Sequence, residues 1–348
     1  LTLLCCASCA SPKTPPPTTP TKPKLAPKAA ATAARVGKWA IRGTKLFVRD
    51  VGPKDAPVLL VVHGGPGGNH NSLRALEVFS PAYRVVLYDQ RGTGESDRFT
   101  VSPKDPASLR KLSLKENVED IEALRQRLGR EKISLLGHSW GGALAVFYAA
   151  AYPQRVDKLV VYSGGPETAE LSKRKRGAHN AKLTAEEKAK LKAGTKALVA
   201  ALRKGATQDE LDERVVKLAS LTFGALNCQR AKSGDHGASI GRGGFWANQI
   251  VGAYVRSFKY ANIAPGLAKL EAPTLLIWGK CEPSPIERLT NLLDLIPKAR
   301  LAIFAKSGHN AMTEQKPLFF ASLRAFLSGK ELPMKTYTKR SEVPPAKP

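Results

Sequence analysis

Short apolar runs alternate along the chain with longer amphipathic stretches, and this alternation organises residues 38–328. From Lys38 the pattern is strand-like, with apolar and polar positions alternating through Trp39–Asp50. Apolar runs follow at Val58–Val62, Arg84–Tyr88, Ile133–Leu136, Leu159–Tyr162, Thr274–Trp278 and Leu301–Phe304. Runs of this length bounded by turn residues predict strands buried on both faces. Helical spacing occupies Leu114–Leu128, an Ala-rich stretch ending at Tyr152, Ile286–Leu295 and Leu318–Leu327. The alternation predicts an α/β class, with a mostly parallel, doubly wound sheet covered by helices on both faces. Residues 165–260 break the rhythm. They read as charged amphipathic helix with a Gly-rich stretch at 234–244, which predicts a helical insertion between core segments 36–164 and 261–328.

Both ends of the chain look unfit for a core. Residues 11–35 form a linker rich in Pro, Thr, Lys and Ala, an extended tether in character. Residues 329–348 read as a polar tail. Residues 1–10 (LTLLCCASCA) are apolar, then small, then cysteine. They resemble a relaxed bacterial lipobox, in which Cys9 after Ala7-Ser8 fits best and Cys5 and Cys6 are rivals. The resemblance implies an exported, lipid-anchored protein at the periplasm or cell surface, with a cytoplasmic location as the alternative.

Composition narrows the class. With 43% hydrophobic and 24% charged residues the chain is not disordered throughout, and no apolar stretch is long enough for a membrane-spanning helix. The formal net charge of +26 permits contact with an anionic partner. Residues 171–217 alone carry thirteen basic against six acidic side chains. No nucleic-acid-binding motif accompanies the charge, so solvated lysines are the expectation and no nucleic acid partner is expected.

The chemistry concentrates where strands end. Gly137-His138-Ser139-Trp140-Gly141 matches G-x-S-x-G between a strand and an Ala-rich helix, the setting that exposes a serine hydroxyl on a sharp turn. Such a nucleophile needs a base and an orienting acid, in the chain order Ser, acid, His. His309 follows a strand directly, whereas His179 and His236 fall in the helical segment and read as surface residues. Glu282 follows the strand Thr274–Trp278 and is the expected acid, although it also suits a helix start before Pro283 and Pro285. Glu287 and Asp294 lie farther along. No metal or cofactor is called for: P-loop, H-E-x-x-H and clustered Cys/His patterns are missing from the sequence.

Together, His63–Gly68, Asp89–Ser96, Gly137–Gly142, Gly279–Glu282 and Ser307–His309 closely resemble the proline iminopeptidase branch of the α/β-hydrolase fold. The resemblance runs from about residue 38 to 328. It implies a serine hydrolase acting through an acyl-enzyme, with Ser139, His309 and Glu282 as the triad. It implies an oxyanion hole from the backbone N–H groups of Gly65 and Trp140, with the Asp89–Ser96 loop beside the site and the helical insertion 165–260 as a lid. The expected substrate is a short peptide that loses its N-terminal residue.

Two features depart from that branch. Its usual acid is Asp, where this chain has Glu282. Its lid glutamates hold the substrate ammonium, yet no Asp or Glu occurs from His236 through Leu270, while Arg242, Arg256, Lys259 and Lys269 do. Glu167, Glu170 and Asp235 remain as substitutes. The alternative is therefore a carboxylic-ester or lactone hydrolase whose basic lid admits an anionic substrate. Phe223, Phe245, Trp246 and Tyr254 are candidates to line an apolar pocket. Cys228 and Cys281 are left as either a disulfide or two free thiols.

Overall fold

A computed structural model describes residues 33–102, 104–228 and 241–345. The proposed lipid-anchor position Cys9, together with Cys5, Cys6, Asp235 and His236, lies outside the described residues. Nine strands form one sheet among them: β1 (Arg35–Ile41), β2 (Thr44–Val51), β3 (Val58–Val62), β4 (Arg84–Tyr88), β5 (Ile133–His138), β6 (Val156–Tyr162), β7 (Thr274–Gly279), β8 (Ala299–Phe304) and β9 (Thr336–Tyr337). Their spatial order is β1-β2-β4-β3-β5-β6-β7-β8-β9. From β4 to β8 the pairing is parallel, and antiparallel strands flank it on both sides.

The helices are α1 (Pro106–Arg110), α2 (Leu114–Arg127), α3 (Trp140–Ala151), α4 (Ala169–Ala181), α5 (Ala185–Arg203), α6 (Gln208–Phe223), α7 (Gly244–Ser257), α8 (Ala264–Leu267), α9 (Glu287–Leu295), α10 (Ala311–Glu314) and α11 (Lys316–Leu327). Period-2 side-chain alternation explains the layering. In β3, Val58, Leu60 and Val62 point into a core shared with α2, α3 and α9, while Leu59 and Val61 point into a second core shared with α11. A strand buried on both faces must be apolar at every position, and β3 reads Val-Leu-Leu-Val-Val. Helices α4–α8 lie between β6 and β7 in the chain, in place of the usual single crossover helix. No described helix is long and apolar enough to cross a membrane.

The structure differs from the sequence reading at both ends of this core. The alternation at Trp39–Asp50 is not one strand. Together with residues from Arg35 it forms a hairpin, turning at Arg42-Gly43, where both residues have positive φ. Thus β1 starts inside the stretch read as linker. The stretch read as a polar tail also contributes: β9 pairs with β8, and Leu332 and Met334 pack on the second core. These apolar residues are too widely spaced to give a periodic signal.

The turn after β5 depends on glycine. A Cβ on Gly141 would lie 2.1 Å from the Val62 carbonyl oxygen and 2.5 Å from that of His63, so α3 packs directly on the backbone leaving β3. Gly141→Ala should lower stability by about 1–3 kcal/mol or more, because backbone rather than a flexible side chain must yield. Denaturant unfolding with an unchanged midpoint would refute this packing.

Candidate active site

Ser139 occupies the turn from β5 into α3 with φ 55° and ψ −119°, a backbone conformation that side chains rarely adopt. Its N–H donates to the Tyr162 carbonyl at 2.8 Å, tying the turn to the end of β6. Gly164 packs beneath, where a Cβ would sit 2.1 Å from the Ser139 carbonyl oxygen. The residue thus stands at the N-terminus of α3, where unpaired N–H groups and the helix dipole favour negative charge.

Parallel strands bring the other two groups to the same sheet edge. Glu282 follows β7 and His309 follows β8, each 8% exposed. His309 Nδ1 lies 2.5 Å from Glu282 Oε2, and the Ser284 N–H donates to Glu282 Oε1 at 3.3 Å. Burial alone would raise the Glu282 pKa. The His309 ring, the Ser284 bond and the Arg288 charge outweigh it and hold the carboxyl below its ordinary value. His138 packs against His309 with ring centroids 4.9 Å apart. Burial, reinforced by the neighbouring His309 ring, pushes its pKa down to about 3, so His138 is neutral near pH 7.

The glycine loop after β3 also borders the site, where a Cβ on Gly64 would lie 3.0 Å from the Ser139 Cβ. Gln90 holds this loop: its N–H donates to His63 Nε2 at 3.0 Å, and its side-chain amide donates to the His63 carbonyl at 2.7 Å. Its amide oxygen accepts the Trp140 indole N–H at 3.2 Å. Asp89 is fully buried and accepts backbone N–H bonds from His70 and Glu95 at 2.6 and 2.8 Å. The Asp89–Ser96 motif therefore acts as a brace between the Gly64–Gly65 loop and the start of α3.

Ser139, His309, Glu282, Gly65 and Trp140 all line one cavity of about 1140 Å³. Its wall also carries an ionic cluster in which Glu167 and Arg288 are buried and Lys175 is half-buried. Glu167, between β6 and α4, accepts both bonds of Lys175 Nζ at 2.6 and 2.9 Å and lies 3.5 Å from Arg288 Nε. Arg288 also donates to the Gly165 carbonyl at 2.8 Å. Burial opposes the ionised Glu167, yet Arg288 and Lys175 keep its pKa below the ordinary value. Burial, and then Arg288, lower that of Lys175.

Several residues fall elsewhere than the sequence predicts. Phe223 and Tyr254 line the cavity, but Phe245 and Trp246 do not. The first turn of α7 drives those two rings into a separate apolar cluster with Leu112 and Leu211. His179 is not a surface residue: it lines the cavity, with Nε2 2.9 Å from the Thr222 carbonyl oxygen. Arg242, Arg256, Lys259 and Lys269 are exposed and take no part in the cavity wall, so they do not set its charge. The cations that do are Lys175, Arg176, Arg288 and Lys306. Lys175 belongs to a basic run that reads as solvated. The available signal was its position four residues after Leu171, which is buried on the same face of α4. Glu287 and Asp294 pair with Arg174 and Arg340, away from His309. Cys228 and Cys281 form a disulfide.

Residues 57–315 match the family model of the alpha/beta hydrolase fold, and the chain belongs to that family. Within it, the chain resembles the proline iminopeptidases. It is 30% identical to the proline iminopeptidase of Saccharolobus solfataricus over 288 residues, covering 77% of this chain and 84% of the relative. It is 28% identical over 298 residues to the proline iminopeptidase PfmaB of Pestalotiopsis fici, covering 82% and 97%. Among solved structures, the proline iminopeptidase-related protein of Thermus thermophilus superposes with a TM-score of 0.62 at 22% identity, covering 85% of this chain and 98% of that one. The proline iminopeptidase of Mycobacterium smegmatis gives 0.58 at 22% over the same shares. At this identity the structural likenesses concern the fold alone.

Proposed function

We propose that this protein is a serine hydrolase that releases the N-terminal residue of short peptides through an acyl-enzyme on Ser139. The observation that carries the reading is one cavity receiving a serine on a strained strand-to-helix turn and a histidine already bonded to a buried carboxylate. With Nδ1 engaged by Glu282, His309 presents Nε2 as the base. It takes the Ser139 proton as Oγ attacks the acyl carbon, and the N–H groups of Gly65 and Trp140 receive the oxyanion. His309 then gives the proton to the leaving amine, and a water molecule repeats the cycle to free the acid and Ser139. A neutral His138 keeps a second positive charge away from the imidazolium that forms. Helices α4–α7 act as the lid over this cavity.

The proline iminopeptidase relatives support the amide reading, in which Glu167 is the carboxylate in the cavity wall assigned to the substrate ammonium. A second reading rests on a specific observation: Glu167 is already neutralised by Lys175 and Arg288, leaving a cationic excess in that wall. Such a wall suits a carboxylic ester or lactone bearing an anionic group. The N-terminal cysteines and Pro-rich tether support export with a lipid anchor, which metabolic labelling with a lipid precursor would test.

Initial rates on free-amine prolyl and alanyl arylamides, their N-blocked forms and neutral or carboxylate-bearing aryl esters separate the substrate readings. An aminopeptidase turns over only the free amines. In that case Lys175→Met, which releases one face of Glu167, should lower their KM. The ester reading predicts instead about a tenfold loss in Lys175→Met on carboxylate-bearing esters and none on neutral ones. No turnover of any of these, and no labelling of Ser139 by a fluorophosphonate, would remove both readings.

A further inference from the structure

The loops carrying Glu282 and His309 do not hold each other through their own hydrogen bond alone. Both are fastened to Leu226–Cys228, the short stretch that starts at the last residue of the 3-10 turn (Gly224–Leu226) after α6. The His309 N–H donates to the Leu226 carbonyl at 2.9 Å, and Asn310 Nδ2 donates to Asn227 Oδ1 at 2.9 Å. Gly308 permits this approach, since a Cβ there would lie 2.1 Å from the Leu226 carbonyl oxygen. Cys228 is bonded to Cys281, the residue before Glu282, with Cα atoms 5.1 Å apart. The Cys281 N–H in turn donates to the Ser307 carbonyl at 2.9 Å.

Glu314, at the end of α10, closes the ring. One carboxylate oxygen accepts the Cys228 N–H and the other accepts the Gly308 N–H, both at 2.7 Å. A carboxylate serves here where an amide would not: it is acceptor-only at both oxygens, whereas glutamine turns an N–H₂ toward one of the two N–H donors. The circuit runs from Glu282 to His309, through Gly308 to Glu314, then to Cys228, across the disulfide to Cys281 and back to Glu282. Every link but one is a hydrogen bond or peptide bond, and that one is the disulfide. Neither Glu314 nor the disulfide has a part in the proton transfers proposed above.

We propose that Glu314 is a positioning residue and that the Cys228–Cys281 disulfide is a positioning cross-link, together keeping Glu282 and His309 in register beneath Ser139. The inference rests on the serine-hydrolase reading but is independent of the substrate. Opening the cross-link is a two-electron step in which a small dithiol reduces the S–S bond to two thiols and is itself oxidised to a cyclic disulfide. Opening it, or misdirecting one oxygen of Glu314, leaves Ser139 on its turn and the Glu167–Lys175–Arg288 cluster in place, although Glu314 itself lies at the cavity edge. The His309–Glu282 pair then samples poorer geometries. The deficit therefore belongs to kcat, with KM little changed.

The test is the second-order rate of fluorophosphonate labelling of Ser139, together with kcat per labelled site on the best substrate of the panel. Glu314→Gln should label about tenfold more slowly, with kcat lowered in parallel and KM within twofold. Wild-type protein treated with dithiothreitol below its unfolding temperature should slow similarly, and reoxidation should restore the original rate. A purely structural role would lower the melting temperature and the number of titratable sites but not the rate per site. Unchanged per-site rates in both the reduced wild type and Glu314→Gln would overturn the proposal. If Glu314→Gln fails to fold, the reduction and reoxidation cycle decides alone, in the same two directions. Wild-type protein that never labels would instead sink the serine-hydrolase reading, so the two failures are distinguishable.

Discussion

Ser139→Ala is expected to lower kcat/KM by at least about a thousandfold on whichever substrate proves best, with the fold unchanged. The loss follows from removing the proposed nucleophile. The Gly65 and Trp140 N–H groups and the cavity remain, so a residue of catalysis above the water rate should persist. Stability should change little. Alanine keeps the same Cβ at φ 55°, and the N–H bond to the Tyr162 carbonyl is a main-chain bond that the substitution leaves alone. Steady-state kinetics alongside thermal melting checks both halves. A variant retaining a tenth of wild-type activity with a normal melt would place the nucleophile elsewhere.

The second large effect belongs to Glu282→Gln, for which kcat should fall about 10³–10⁴-fold. Glutamine fits the same space but carries no charge, and it can present either an acceptor or a donor to His309 Nδ1. It therefore neither fixes the tautomer nor stabilises the imidazolium that forms as Ser139 loses its proton. The same variant has a signature in stability. The folded Glu282 carboxyl has a pKa below its ordinary 4.5, so its ionised form contributes stability above that pH. The contribution is lost as pH falls through the lowered value. The stability gap between wild type and Glu282→Gln should accordingly be widest near neutral pH and shrink on acidification below about 4.5. Denaturant midpoints across pH 3–7 measure it, and a gap that widens on acidification would contradict the electrostatic account.

The proposals sort by what each residue touches. Ser139, His309 and Glu282 concern the reacting atoms, whereas Lys175 and Arg288 concern which charge the substrate carries into the cavity. Glu314, at the cavity edge, and the disulfide concern how well the His309–Glu282 pair stays aligned. Substitutions at these three levels should separate experimentally as losses in kcat, changes of substrate preference and losses in kcat at constant KM.

Local pattern was sufficient wherever one face or one turn decided the outcome. The strands β3 to β8 are legible because burial on both faces makes their central positions apolar, with the charged residues kept to the strand starts. The Ser139 turn is legible because only glycine fits at Gly137 and Gly141, where a Cβ would meet backbone within 2.1 Å. The order of Ser139, Glu282 and His309 along the chain, each just after a strand, follows from parallel strands ending at one edge. Charge in the cavity was not legible. Apart from the spacing of Lys175 from Leu171, nothing in the sequence sets Lys175 and Arg288 apart from Arg242, Arg256, Lys259 and Lys269, and packing separates a solvated cation from one facing Glu167. The disulfide was likewise undecidable, since Cys228 and Cys281 are 53 residues apart and no spacing rule links them. The end strand β9 and the inward turn of Phe245 and Trp246 depend on surfaces made by distant segments. The sequence by itself thus determined the strands from β3 to β8 and the strand-to-helix turn at Ser139, because those rest on local sterics and strand direction. Tertiary structure decided which charges line the cavity and what holds Glu282 to His309, because both arise only when α4, α9, α10 and the Leu226–Cys228 stretch meet at one place.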